Sequence, residues 1–185
     1  MDRVSDAFAV VPRADFLPVG ERGRADYDGP VSLGHGSTNS QPRTVADMLR
    51  LLDVRRGDRV LDVGAGSGWT TVLLAELTGP DGSVLGLELE PEVARFGADN
   101  VAGAGRPWAS LETARAGVLG DPARSPYDRI LVSADASVLP AELVAQLADG
   151  GRMVVPVRGL MTVAVRRGDE VETSHHGHYS FVPLR

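Results

Sequence analysis

The segment Asp62-Val63-Gly64-Ala65-Gly66-Ser67-Gly68 restricts the fold of this chain more than any other. It follows the apolar run Val60-Leu61-Asp62-Val63 and precedes Leu73, Leu74 and Leu77 at helical spacing, so it reads as a strand, a tight turn and a helix. Pro80-Asp81-Gly82 then supplies turn chemistry, Ser83 to Glu88 predicts a second strand, and Pro91 opens a helix to about Ala102. This βαβ alternation implies a parallel sheet.

The remaining elements fit around that unit. Pro42 suits a first helical turn, and Val45, Met48, Leu49 and Leu52 recur at helical spacing, predicting a helix from about Pro42 to Leu52. Ile130-Leu131-Val132 and Met153-Val154-Val155 are short buried-strand candidates flanking a helix from about Ala141 to Leu147, which Gly150-Gly151 closes. Met161 to Val165 reads as a strand, Gly168-Asp169 as a turn, and the stretch to Val182 as one or two returning strands, giving an antiparallel edge. Residues 1–41 are rich in Gly, Pro and Asp and read as a short helix followed by ordered loop rather than a core layer. The expected fold is therefore α/β: a Rossmann-like, doubly wound, mostly parallel sheet with an antiparallel C-terminal edge and an N-terminal cap. At 185 residues and 43% hydrophobic content, one domain is expected, with residues 1–41 as cap and 42–185 as core.

The glycine turn has chemical content of its own. Glycines let a ligand approach the main chain, and Glu88, 20 residues after Gly68 at the end of the second predicted strand, is placed to accept both hydroxyls of a ribose. Dinucleotide sites favour G-x-G-x-x-G, which presents amides to pyrophosphate. Here the pattern is G-x-G-x-G with Asp62 two residues upstream, a carboxylate that would repel pyrophosphate but suits the ammonium of a methionine moiety, directly or through water. The cofactor this favours is S-adenosyl-L-methionine, with a nicotinamide dehydrogenase as a distant alternative. Taken alone, the turn has a weaker second reading, as a plain join of strand to helix in another doubly wound protein.

A wider set of segments resembles the protein-L-isoaspartate O-methyltransferases over most of the chain. Val11-Pro12-Arg13 with Phe16 and Pro18 is similar to that family's VPR segment, and Asp28-Gly29-Pro30-Val31 with Leu33-Gly34 to its D-x-P-L-x-I-G. Gly36-Ser37-Thr38-Asn39-Ser40-Gln41-Pro42 resembles its G-x-T-I-S-x-P signature, which in those enzymes lies over the methyl donor and the substrate carboxylate. Asp58 to Trp69 resembles its cofactor motif, and Ser125-Pro126-Tyr127-Asp128 its A-P-Y-D. Leu139-Pro140, Gln146-Leu147, Gly150-Gly151-Arg152, Val155-Pro156-Val157 and Phe181-Val182-Pro183-Leu184 follow in the family's order. The resemblance implies methyl esterification of L-isoaspartyl carboxylates in damaged proteins and peptides, with Ser40 and Thr38 as catalytic residues. It places Thr38, Asn39, Ser40, Asp62, Gly64, Ala65, Gly66, Gly68, Glu88, Leu89, Ala116 and Gly117 at the cofactor. Ser40 also has a plain reading, as the N-cap of the helix that Pro42 opens.

Three departures bear on function. Arg115-Ala116-Gly117-Val118-Leu119-Gly120 puts Ala116 where relatives usually carry an Asp near the adenine amine; Asn39 replaces the usual apolar residue, and Arg43 stands where many relatives have His, Ala or another residue. The chain stops one residue after Phe181-Val182-Pro183-Leu184, so a shorter substrate-facing or cofactor-covering tail is expected. Two other readings follow: the same donor with a peptide aspartyl side chain or a small carboxylic acid as acceptor, or a non-catalytic nucleotide-binding relative.

A carboxylate is already ionised at neutral pH and is itself the nucleophile, so positioning and desolvation are the main catalytic tasks and no catalytic His is required. His175, His176 and His178 carry only a weak metal signal, with His176 and His178 on one strand face and no third ligand evident; they read as solvent-facing, and no metal is expected. With no Cys, disulfide and thiol chemistry are excluded. A formal net charge of -6 disfavours nucleic-acid partners, and the N-terminal residues contain no apolar stretch of signal or membrane-span length. A monomeric cytoplasmic protein is expected.

Overall fold

The computed structural model describes residues 2–185; Met1, the first residue of the cap segment, lies outside it. The elements are α1 (Arg3–Val10), β1 (Val31–Gly34), β2 (Ser37–Asn39), α2 (Pro42–Leu52), β3 (Arg59–Val63), α3 (Trp69–Thr78), β4 (Ser83–Glu88), α4 (Pro91–Gly103), β5 (Ala109–Thr113), β6 (Tyr127–Val132), α5 (Ala141–Val144), β7 (Leu147–Val157), β8 (Leu160–Arg167) and β9 (Glu170–His178). β1 and β2 form a small antiparallel hairpin; the other strands build one sheet in the order β5-β4-β3-β6-β7-β8-β9. Strands β5 to β7 in that order are parallel, and β8 and β9 add the antiparallel edge. This is the Rossmann-like arrangement that the sequence implies.

Strand alternation divides the core into two layers. Val60, Val84, Leu131 and Val154 pack beneath α1 to α4, while Leu61, Leu85, Ile130, Val132 and Met153 face a second layer that contains Leu143 of α5, Leu147 and the contacting side chains Leu139 and Leu184. One face of the sheet is thus covered by full helices, the other by short segments that leave room for a cavity.

Four expectations need correction. The N-terminal segment does enter the core: Val4, Ala7, Val11, Phe16 and Leu17 are buried, and Phe8 meets Trp69 edge to face at 5.2 Å between ring centroids. The helix expected to run to Leu147 ends at Val144, because Leu147 already pairs with Tyr127 on β6. Gly150-Gly151 then lies inside β7, at a register shift, rather than closing a helix; a Cβ on Gly151 would stand 2.8 Å from the Ala148 carbonyl oxygen. On β9 a bulge near Gly177 (φ 92°) breaks the alternation expected to align His176 with His178. Among the described residues, no helix is long and apolar enough to cross a membrane.

Candidate active site

The chain reverses direction across the sheet between β3 and β6, and ligands of open α/β sheets bind at such a switch point, beyond the carboxyl ends of the strands. A cavity of about 1460 Å³ opens there. Its floor is the glycine turn: Gly64 and Gly66 have φ of 78° and 54°, conformations that favour glycine, and both line the cavity. Gly97 of α4 presses on the same turn from behind, where a Cβ would come within 2.4 Å of the Gly66 carbonyl oxygen. Helical spacing alone gives no hint of that contact.

Glu88 ends β4 at the cavity edge. Its Oε2 accepts from Gly66 N–H at 2.9 Å and its Oε1 from Glu90 N–H at 3.0 Å, so both oxygens are fixed by backbone. A carboxylate has about four lone-pair sites, so each oxygen retains capacity for a further donor such as a ribose hydroxyl. Leu89, Ala116 and Gly117 join it along the same wall.

The opposite wall is the β1–β2 hairpin, and a buried arginine holds it. Arg13 donates from Nε to Asn39 Oδ1 (2.6 Å) and from its terminal nitrogens to the carbonyls of Tyr27 (2.7 Å), Gly29 (2.8 Å), Asn39 (3.2 Å) and Ser40 (3.0 Å), with its guanidinium 5.6 Å from the Trp69 ring centroid. Asn39 passes the connection on, donating from Nδ2 to Ser67 Oγ at 3.0 Å. Four main-chain carbonyls and the Asn39 side-chain amide are thereby gathered on one guanidinium, and the hairpin is locked to the glycine turn. Thr38 and Ser40 line the cavity, and no other residue hydrogen-bonds their hydroxyls among the described residues. Ser40 is not the N-cap: Gln41 occupies that position, without a side-chain cap, and its Oε1 accepts from Thr44 Oγ1 instead.

Of the residues assigned to the cofactor from sequence, the cavity therefore gathers Thr38, Ser40, Gly64, Gly66, Glu88, Leu89, Ala116 and Gly117. Four lie elsewhere. Asn39 and Ala65 border only an adjoining void of about 20 Å³. Gly68 begins α3 at φ 82°, packed so closely on Val101 and Gly97 that no larger residue fits. Asp62 is fully buried beneath the turn, bonded through Oδ2 to Thr71 Oγ1, and its Oδ1 has no partner within the protein. Burial, with a smaller push from the Glu88 charge, raises its carboxyl to about 7, against the opposing Thr71 bond. Its side chain does not face the cavity, so no direct contact with a bound ammonium is available.

Residues near the C-terminus supply a wall that sequence motifs did not assign to the site. Asp135 N–H donates to the Val182 carbonyl (2.7 Å), Leu184 N–H returns to the Asp135 carbonyl (2.9 Å), and Asp135 Oδ1 accepts from Gly159 N–H (2.8 Å). Tyr179 reaches across to α2, its hydroxyl donating to Asp47 at 3.2 Å. The tail lines the cavity from His178 to Arg185. His178 faces this cavity rather than solvent alone, while His175 and His176 engage Thr162 and Ser174.

A family model described as Protein-L-isoaspartate(D-aspartate) O-methyltransferase matches residues 1–185. A Protein-L-isoaspartate O-methyltransferase of Methanopyrus kandleri is 42% identical over 99% of this chain and 83% of its own. One of Aeropyrum pernix is 46% identical over 84% of this chain, which spans 60% of that relative's length. Among solved structures, a putative protein-L-isoaspartate O-methyltransferase from Plasmodium falciparum in complex with S-adenosyl-L-homocysteine superposes with a TM-score of 0.86 at 25% identity, over 100% of this chain and 91% of its own. A second structure bearing the same enzyme name has a TM-score of 0.88 at 24% identity; it is covered over 62% of its length and carries the fold likeness alone.

Proposed function

Since the chain belongs to the protein-L-isoaspartate(D-aspartate) O-methyltransferase family, we propose that it transfers the methyl group of S-adenosyl-L-methionine to the free carboxylate of L-isoaspartyl residues in proteins and peptides. The observation that carries this reading is that one continuous cavity joins Gly64, Gly66 and Glu88 to Thr38 and Ser40. A nucleoside donor and a carboxylate acceptor can therefore meet without crossing solvent.

The donor supplies an electrophilic methyl on a sulfonium. Glu88 fits its ribose, because the backbone bonds to Gly66 and Glu90 already orient the carboxylate. The glycine turn admits the amino-acid portion without side-chain clash. Thr38 and Ser40 hydroxyls can hold the acceptor carboxylate in line, and the Arg13 network fixes the strand that carries them. Neutral hydroxyl donors suit this reaction: the acceptor's charge vanishes as the ester forms, so a full cation clamped on the reacting oxygens would stabilise the ground state more than the transition state. A cytoplasmic, monomeric setting is part of this reading.

The deciding measurement is methyl transfer to an isoaspartyl peptide against its ordinary aspartyl twin. The isoaspartyl peptide should yield a base-labile ester and the twin none, and Ser40→Ala should lower kcat by more than it weakens S-adenosylhomocysteine binding. Preference for the ordinary aspartyl peptide would transfer the assignment to a biosynthetic acceptor.

A further inference from the structure

Arg43 lines the acceptor end of the cavity, two helical residues beyond the Ser40-Gln41 corner, and its side chain is 78% exposed. It stands in the first turn of α2, where an acidic side chain is the favourable choice for helix stability, so the helix itself gives no reason for a cation there. Its contact with Asp28 is one-sided. The Asp28 carboxylate caps the Arg43 backbone N–H at 3.1 Å and lies 3.8 Å from Nε, too far for a hydrogen bond. Among the described residues, no hydrogen bond engages either terminal nitrogen of Arg43, and the planar fork that matches a carboxylate two-to-two is open. One turn along the same helix, Asp47 is turned to other partners: Tyr179 donates to it, and Arg50 lies 3.9 Å away. Both terminal nitrogens of Arg43 thus remain available at this rim, its one ion pair being the contact of Nε with Asp28.

We propose that Arg43 is a specificity-determining residue that receives the carboxylate of an acidic side chain flanking the isoaspartyl residue, so that acidic segments are the preferred acceptors. This rests on the acceptor reading above. The reacting carboxylate is not its ligand, for the charge-loss reason already given; the flanking carboxylate keeps its charge throughout, and pairing with it contributes to binding without opposing the transfer.

Three isoaspartyl peptides that differ only in a flanking Glu, Gln or Lys test this, assayed with the wild-type chain and with Arg43→Ala, Arg43→Lys and Arg43→Glu. For wild type, kcat/KM should fall from Glu to Gln to Lys by about three- to tenfold overall, mostly through KM, and the spread should shrink with added salt. Arg43→Ala should flatten the series, Arg43→Lys should keep its order with a smaller spread, and Arg43→Glu should reverse it. The melting shift with S-adenosylhomocysteine should stay unchanged in all three variants, separating lost selectivity from lost folding. Turnover of all peptides without a charge order, or an order that survives Arg43→Ala, overturns the inference alone. No turnover of any isoaspartyl peptide by wild type that still binds S-adenosylhomocysteine overturns the acceptor reading and this inference together.

Discussion

Thr71 Oγ1 donates to Asp62 Oδ2 across 2.7 Å, a bond lying wholly inside the protein that ties α3 to β3 beneath the glycine turn. It only partly offsets the burial of Asp62, whose carboxyl sits near 7. Between about pH 4 and 7 the folded state then holds a proton that the unfolded chain has released, so this group's contribution to stability falls as pH rises through that window. Asp62→Asn removes the titration. Relative to the variant, wild type should lose on the order of 1–4 kcal/mol between pH 5 and pH 8. Parallel melting curves for the two proteins across that range would show that Asp62 does not titrate there.

Arg13 spreads Nε and both terminal nitrogens over Asn39 Oδ1 and the carbonyls of Tyr27, Gly29, Asn39 and Ser40, a span that the single ammonium of lysine cannot cover. Arg13→Ala strands these acceptors and should destabilise the fold by about 2–4 kcal/mol, a drop of roughly 5–15 °C in Tm. Arg13→Lys should restore only part of this. Calorimetry with both variants checks it, and an Arg13→Lys protein as stable as wild type would mean that charge rather than the fork holds the hairpin.

Glu88 is expected to weaken donor binding strongly when replaced. Two charged hydrogen bonds to a ribose are at stake, each about 1.5–3 kcal/mol where well aligned, so Glu88→Ala should raise the Kd for S-adenosylhomocysteine at least tenfold. Titration calorimetry reads the change directly; an unaltered Kd would remove Glu88 from the nucleoside site.

Ala116 lines the cavity beside Gly117, whose φ of 74° keeps the loop in a conformation that glycine favours. A carboxylate at Ala116 should accept from an adenine amine, so Ala116→Asp should tighten S-adenosylhomocysteine binding by roughly tenfold. A purine analogue without the exocyclic amine should bind wild type nearly as well as the natural nucleoside and discriminate only in the variant. If the double-mutant cycle of the two proteins and two ligands shows no coupling, Ala116 does not face the adenine.

The sequence by itself determined the elements whose signals are local. The strand, glycine turn and helix around Gly64 to Gly68, the second strand ending at Glu88, and the helix opened by Pro42 all follow from periodicity, proline and glycine within a dozen residues. The motif order likewise pointed to Thr38, Ser40 and Glu88, which the cavity brings together. Tertiary structure alone decided the rest. β5, in Ala109–Thr113, carries only one buried residue, Leu111, and so has no strong pattern of its own; its identity as a strand comes from pairing with β4. Asn39 serves Arg13 and Ser67 rather than the cavity, Asp62 turns inward to Thr71, and Tyr179 closes on Asp47 from 132 residues away. Spacing fixes which face of an element a side chain occupies, but not which distant backbone or side chain will lie opposite it. That partner is set only when the sheet order and the loop paths have closed.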